Sequence, residues 1–274
     1  MAASPSLDRA VSFPFKMLAP PGAGGDTPSM ETTQTLVLTG ASRGIGHATA
    51  RAFAEDGWRV ITVSRQPFSP RCPWAGGPQD HVQCDLGDPV SLGVGIAEIR
   101  SRLTNGRLDA LVNNAGISPK GPDGSRLGVL DTDLAGWISV FSVNIFAVAL
   151  LARGLIEPLS AAQGTIVNVT SIAGSRVHPY AGAAYACSKA ALLTLTREMA
   201  AEFAPRGVRT NAISPGEIDT AILSPGTAAF AEREVPMRRL GRTEEVAAAI
   251  RFLCGPQASY VNGAELHING GQHV

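Results

Sequence analysis

The chain reads as α/β: a single doubly wound domain, its mainly parallel sheet covered by helices on both faces. Three observations predict this. Short runs rich in Val, Ile and Thr alternate with longer stretches of helical apolar spacing, the pattern of strand–helix–strand units. A glycine-rich turn, TGASRGIG at 39–46, joins the first such run to the first helical stretch. The 274 residues show no internal repeat and no second domain boundary after residue 33. Right-handed crossovers between parallel strands then wind the sheet outward in both directions.

The elements follow in order. TLVLT at 35–39 is a short buried strand, and a helix is expected over 44–56. RVITVS at 59–64 and HVQCD at 81–85 are the next strands, and a helix near 90–103 leads to LDALVN at 108–113. A long helix from 131 to 157 precedes TIVNVTS at 165–171. Trp137 to Leu151 is strongly apolar but interrupted by Ser139, Ser142 and Asn144, so it reads as a buried helix. No uninterrupted apolar run reaches the roughly 18 residues that span a bilayer. A helix over 183–203 leads to VRTNAIS at 208–214, and a helix near 243–253 leads to AELHIN at 264–269. The intervening 217–236 reads as a mobile lid.

Residues 1–33 stand apart. They are rich in Pro, Gly, Ser and Thr and hold no long apolar segment, so a disordered extension is expected before a folded domain over 34–274. Phe13 and Phe15 offer the alternative of docking on the body. Lys+Arg and Asp+Glu both number 23, which gives no basic surface for nucleic acid or membrane. Cys72, Cys84, Cys187 and Cys254 show neither zinc nor redox-pair spacing, and the five histidines show no metal-ligand spacing. A reduced, cytoplasmic chain without metal is expected.

The glycine turn carries the first chemistry. Gly40, Gly44 and Gly46 permit a tight backbone and close ligand approach, and the helix that follows offers free N–H groups to a pyrophosphate. This is dinucleotide binding on a Rossmann-type domain, although the spacing is Gly-x-x-x-Gly-x-Gly rather than Gly-x-Gly-x-x-Gly. The second strand ends on Ser64 and Arg65 instead of an acid for the ribose 2′-hydroxyl, and Arg43 lies inside the turn. Paired arginines suit a 2′-phosphate, so NADP(H) is expected over NAD(H). Asp85 meets either the adenine amino group or its own turn.

The second chemistry is Tyr185 and Lys189, four apart on one helix face. A cation beside a phenol favours the phenolate and lowers its pKa from about 10, making a proton donor and acceptor usable near neutrality.

Together, TGASRGIG, NNAG at 113–116, Asn144, Ser171, YACSK at 185–189 and Pro215-Gly216 resemble the short-chain dehydrogenase/reductase family over about residues 34–272. VPMRRLGRTEEVA at 235–247 and the GAELHINGG ending look most like its 3-oxoacyl-[acyl-carrier-protein] reductase-like members. The resemblance implies an NADP-dependent oxidoreductase that interconverts a carbonyl and a secondary alcohol. In it Tyr185 is the general acid/base, Lys189 tunes it and holds the nicotinamide ribose, Ser171 polarises the carbonyl, and Asn144 positions a relay water. Asn113, Ala115 and Gly116 lie in the NNAG turn, which lines the cofactor and steadies the central sheet, and Ile218 and Thr220 after Pro215-Gly216 meet the carboxamide. Ser42 and Ile45 in the glycine turn and Leu86 beside Asp85 complete the expected cofactor contacts.

A different class, a regulatory protein binding NADP without turnover, would show degeneration of those catalytic residues. Glu217 replaces the apolar residue usual after Pro-Gly and faces either the substrate entrance or solvent. His178 either lines the pocket or sits in a loop. Arg238, Arg239 and Arg242 meet an anionic substrate or carrier, or form a solvated turn. The apolar residues on several faces of the 131–157 helix imply a homotetramer or homodimer; the alternative is a monomer covered by residues 1–33.

Overall fold

The computed structural model describes residues 33–69, 76–220, 223 and 226–274. The expected extension therefore lies, apart from Thr33, outside the described residues, as do Cys72 and parts of the expected lid. Seven parallel strands form one sheet: β1 (Thr35–Thr39), β2 (Arg59–Ser64), β3 (His81–Gln83), β4 (Ala110–Asn113), β5 (Thr165–Val169), β6 (Arg209–Pro215) and β7 (Glu265–Ile268). Their spatial order is β3-β2-β1-β4-β5-β6-β7. The winding direction reverses between β1 and β4, and such a switch point opens a crevice at the strands' carboxyl ends. β1 is flanked on both sides, Thr39 pairing with Val63 of β2 and with Asn113 of β4. The glycine turn thus leaves the sheet at the crevice.

Both faces are covered, which is why the central strands are apolar without alternation. On one face α1 (Gly44–Glu55) and α7 (Thr243–Cys254) pack over Leu36, Leu38, Val112 and Ile213. On the other, α2 (Pro89–Arg102), α4 (Ala147–Ala162) and α5 (Ala183–Phe203) close over Val37, Ile61, Leu111 and Ile166. Asp88 caps α2 by accepting from the Val90 and Ser91 amides, the usual role of an acid at that position.

Two expectations need correction. The long apolar helix starts and ends later than the periodicity indicates, at Leu134–Ala162. It comprises α3 (Leu134–Phe141), a π segment over Ser142–Phe146, and α4. It is also not a buried helix. Most of its apolar surface is not covered, and by length and composition alone it is long and apolar enough to cross a membrane. One stripe, with Val140, Val148, Leu151 and Leu155, reaches the core, while Leu134, Ile138, Phe146 and Leu150 stay exposed. The expected lid differs too, because it contains its own helix, α6 (Thr227–Glu234).

Candidate active site

The site is built on the ends of β1, β4, β5 and β6 and the start of α5. The glycine turn is the tightest part. Gly40 and Gly44 have φ of +73° and +58°, a region that strains any side chain. Gly46 has ordinary φ, but a Cβ there would lie 2.2 Å from the Gly40 oxygen and 2.5 Å from Asn114 Nδ2. Asn114 braces the turn: Nδ2 donates to the Thr39 and Gly40 oxygens at 3.1 and 3.0 Å. The Asn114 and Ala115 amides donate to Thr39 Oγ1. The first turn of α1 is left facing the crevice, with Ser42 exposed and Ile45 half-buried. Thr220 approaches from beyond β6, its methyl 3.3 Å from where a Gly44 Cβ would stand.

Arg43 and Arg65 are exposed, and among the described residues neither guanidinium is hydrogen-bonded or ion-paired. Ser64 donates to the Gln66 oxygen at 3.1 Å. Asp85 Oδ1 accepts the Gly87 amide at 2.8 Å, so of its two readings the turn cap is present; Leu86 beside it is buried. Asn113 is buried; its side chain donates to Asn168 Oδ1 at 2.8 Å, and Asn168 donates on to Thr196 of α5, so it ties β4 to β5 and α5. Alternation along a strand sends Asn113 to that face, and its neighbour Asn114 does the bracing. The Ile218 side chain packs into the α1/α7 core, and its backbone is bridged to Gly241. Pro215 ends β6, and a Cβ on Gly216 would strike Asn269 at 2.7 Å.

Ser171 follows β5 and caps a short 3-10 turn, its Oγ accepting the Ala173 amide at 3.2 Å. Its side chain neighbours the Tyr185 hydroxyl and acts to lower the pKa of that phenol. Tyr185 keeps part of its surface accessible while its hydroxyl lies deep. Lys189 is buried, donates to the Val169 oxygen at 2.7 Å, and lies 5.6 Å from the Tyr185 ring centroid. Burial lowers its pKa to about 8, which leaves it mostly cationic at neutrality. Among the described residues one of its three donors is used, which leaves two for a ligand. A Cβ on Gly116 would come 3.3 Å from Nζ, so the glycine keeps that space open. These cradles fit a nicotinamide dinucleotide lying from the glycine turn to Lys189.

The expected lowering of the Tyr185 pKa is overturned. Burial raises it, outweighing the opposing effect of Ser171, and the Glu217 charge raises it further. Sequence spacing gave the neighbour but not the depth, and desolvation of a phenolate is the larger effect. Tyr185 is held here as an acid.

Asn144 sits inside the π segment, fully buried. Its Oδ1 accepts the Ile117 amide at 2.9 Å; its Nδ2 donates to the Ile117 oxygen and to Ser188 Oγ at 2.9 Å. Ser188 donates to the Tyr185 oxygen at 2.7 Å. π segments recur at functional sites, but no periodicity in the sequence marks this one. Ser188, Asn114 and Asn168 were not singled out by sequence; the doubled Asn of NNAG was the one available signal.

His178 and Glu217, separately ambiguous in sequence, are both 8% exposed and hydrogen-bonded to each other. Glu217 is therefore not solvated. Arg239 is paired to Glu245 at 2.8 and 3.0 Å, and Arg242 to the same carboxylate at 3.4 Å. These pairs hold Glu245 down to about 2, and the exposed turn is the reading that fits. Among the described residues no cluster is suited to a metal. Cys84 and Cys254 are buried and Cys187 exposed, all three free.

Residues 40–273 match the family model described as enoyl-(acyl carrier protein) reductase. Protein FixR of Bradyrhizobium diazoefficiens is 57% identical over 242 residues, covering 88% of this chain and 87% of that one. The 3-oxoacyl-[acyl-carrier-protein] reductase FabG of Vibrio cholerae is 33% identical, covering 88% and 98%. A Brucella ovis oxidoreductase of the short-chain dehydrogenase/reductase family, solved with a partially ordered NAD, is 57% identical with a TM-score of 0.77, covering 87% and 100%.

Proposed function

Since this chain belongs to the short-chain dehydrogenase/reductase family and is an oxidoreductase of C=O and CH–OH groups with a nicotinamide cofactor, we propose the finer reading of an NADP-preferring carbonyl reductase with Tyr185 as its general acid. The observation that carries it is the convergence of Ser171, Tyr185 and Lys189 beside the opening that Gly116 leaves. Reduction builds negative charge on the substrate oxygen, and donors aimed at that oxygen lower the barrier. Ser171 and Tyr185 supply two such donors from a strand end and a helix start. Tyr185 gives its proton, and Lys189 compensates the phenolate left behind. Asn144, through Ser188, keeps the first turn of α5 in register with Ile117. When bound, the cofactor supplies the hydride. Consumption of NADPH across a panel of carbonyl compounds tests this reading, and a panel with no turnover sinks it. A 3-oxoacyl thioester is the second reading, favoured by the name of the Vibrio cholerae relative, and belongs in the same panel.

The cofactor preference rests on Arg43 and Arg65, exposed at the turn and at the end of β2. Truncating either to Ala is expected to weaken NADPH about tenfold or more, as for a lost charge-assisted bond, while NADH changes little. Equal losses for both cofactors in a binding titration would remove these arginines from the 2′-phosphate.

The exposed apolar stripe of α3 and α4 supports a two-fold assembly, because pairing buries the same patch on both subunits. Ile138 and Phe146 are 54% and 53% exposed. Light scattering is expected to give a dimer or tetramer for both the full-length chain and a chain starting at residue 34. A monomeric mass for both at micromolar concentration contradicts the assembly.

A further inference from the structure

The loop before the catalytic helix and the segment after Pro215-Gly216 meet through a buried polar cluster. His178 Nδ1 accepts the Tyr180 amide at 3.2 Å, so the ring's Nε2–H is the donor to Glu217 Oε1. Gln272 Nε2 donates to the same oxygen at 3.5 Å. Both known donors fall on Oε1. Among the described residues, Glu217 Oε2 accepts nothing, although the side chain is only 7% exposed. Gln272 Oε1 is likewise buried and unpartnered. An ionised carboxylate offers about four acceptor positions, and Oε2 is not among the fully buried unpartnered atoms, so a ligand donor can reach it. The cluster therefore has more acceptor positions than donors to meet them.

Its place gives that shortage a use. β5 and β6 are adjacent, Val169 pairing with Ile213, and the Thr170 amide donates to the Ile213 oxygen at 2.8 Å. Ser171 and Glu217 thus emerge from neighbouring strands, whose spacing is about 4.8 Å. The Glu217 charge is felt at the Tyr185 hydroxyl. The rings of Tyr180 and Phe230 pack on His178 and on each other, and Phe230 belongs to α6. The carboxylate is held by His178 of the loop and Gln272 near the carboxyl terminus, and Phe230 of α6 packs on the His178 ring.

We propose that Glu217, fixed by His178 and Gln272, is the specificity-determining residue of this site and accepts a hydrogen bond from a hydroxyl that the substrate carries beside the reacting carbonyl carbon. The preferred substrates are then hydroxy ketones, or vicinal diols in the reverse direction. Plain ketones leave the acceptor unmet, and 2-oxo acids place a second negative charge beside it. This rests on the carbonyl-reductase reading above and narrows its substrate class.

The test compares butanone, 3-hydroxybutanone and 2-oxobutanoate, which share a four-carbon skeleton, using whichever of NADPH or NADH gives the higher rate. The parent is expected to favour 3-hydroxybutanone over butanone in kcat/KM by about 10–100-fold, the range for a hydrogen bond to a charged group. Glu217→Gln keeps the side-chain shape but loses the charge, and is expected to bring that ratio down by tenfold or more. A cluster that only ties loops together would lower both substrates in parallel and leave the ratio unmoved. The ratio in the parent is decisive even if the variant fails to fold, which a cofactor titration reveals. Reduction of butanone with no preference for the hydroxy ketone, or a preference for 2-oxobutanoate, overturns this inference alone. No turnover of any of the three while another ketone of the panel is reduced also overturns this inference alone; no turnover across the whole panel overturns it together with the reductase reading.

Discussion

Tyr185→Phe is expected to lower carbonyl reduction by at least about 10²–10³-fold while cofactor affinity stays within a few-fold of the parent. The argument separates the ring from its hydroxyl. Phe keeps the ring that lies beside Lys189 and the backbone oxygen that receives Ser188, so the start of α5 and the Asn144 anchor are undisturbed. What disappears is one donor to the developing oxyanion, a loss that commonly costs about 10²–10³ in rate. The proton source goes with it, and general acid catalysis contributes about 10²–10⁴ by itself. Steady-state rates on any good substrate, with a cofactor titration alongside, check both halves. A variant with a rate near the parent's would take Tyr185 out of the mechanism. One that lost cofactor binding in proportion to rate would make its role structural.

Gly46→Ala should act on the cofactor instead. The new Cβ would sit 2.2 Å from the Gly40 oxygen and 2.5 Å from Asn114 Nδ2, well inside any permitted contact. The first neighbour is backbone and the second is itself fixed by two hydrogen bonds to Thr39 and Gly40. Relief therefore requires the glycine turn to part from the β4 end. Forcing extra atoms into a packed site costs about 1–3 kcal/mol, and here the displaced atoms form the cradle. Dissociation constants for NADPH and NADH are expected to rise together by about 10–100-fold. Gly93→Ala is the control, because a Cβ there on α2 meets nothing within 4 Å; it should leave cofactor binding unchanged. Parent-like affinity in the Gly46 variant would mean that the turn is looser than its contacts imply.

The same glycine turn illustrates what was legible from sequence. Its place between a strand and a helix follows from hydrophobic periodicity and glycine spacing, which are local properties. For that reason α5 came out as 183–203 and β2 as 59–64, matching the structure. β3 was expected two residues too long and the long apolar helix to start too early. End positions depend on caps and neighbouring strands more than on periodicity. The helix α6 was missed because TAAFAERE is short and follows Ser, Pro and Gly, which read as loop.

The sequence alone determined the order of the strands, the place of the glycine turn, and the spacing of Tyr185 and Lys189. Each depends on residues a few positions apart, whose geometry is set by the backbone they share. Only the tertiary structure decided which side chains meet and how deeply they lie. It turned Asn113 toward Asn168 and left Asn114 to brace Gly40. It locked Asn144 into a π segment against Ile117. It joined His178 to Glu217, 39 residues apart, and raised the Tyr185 pKa where helix spacing pointed down. Burial and charge are sums over everything packed around a group, and the chain assembles those neighbours from positions that no local pattern connects.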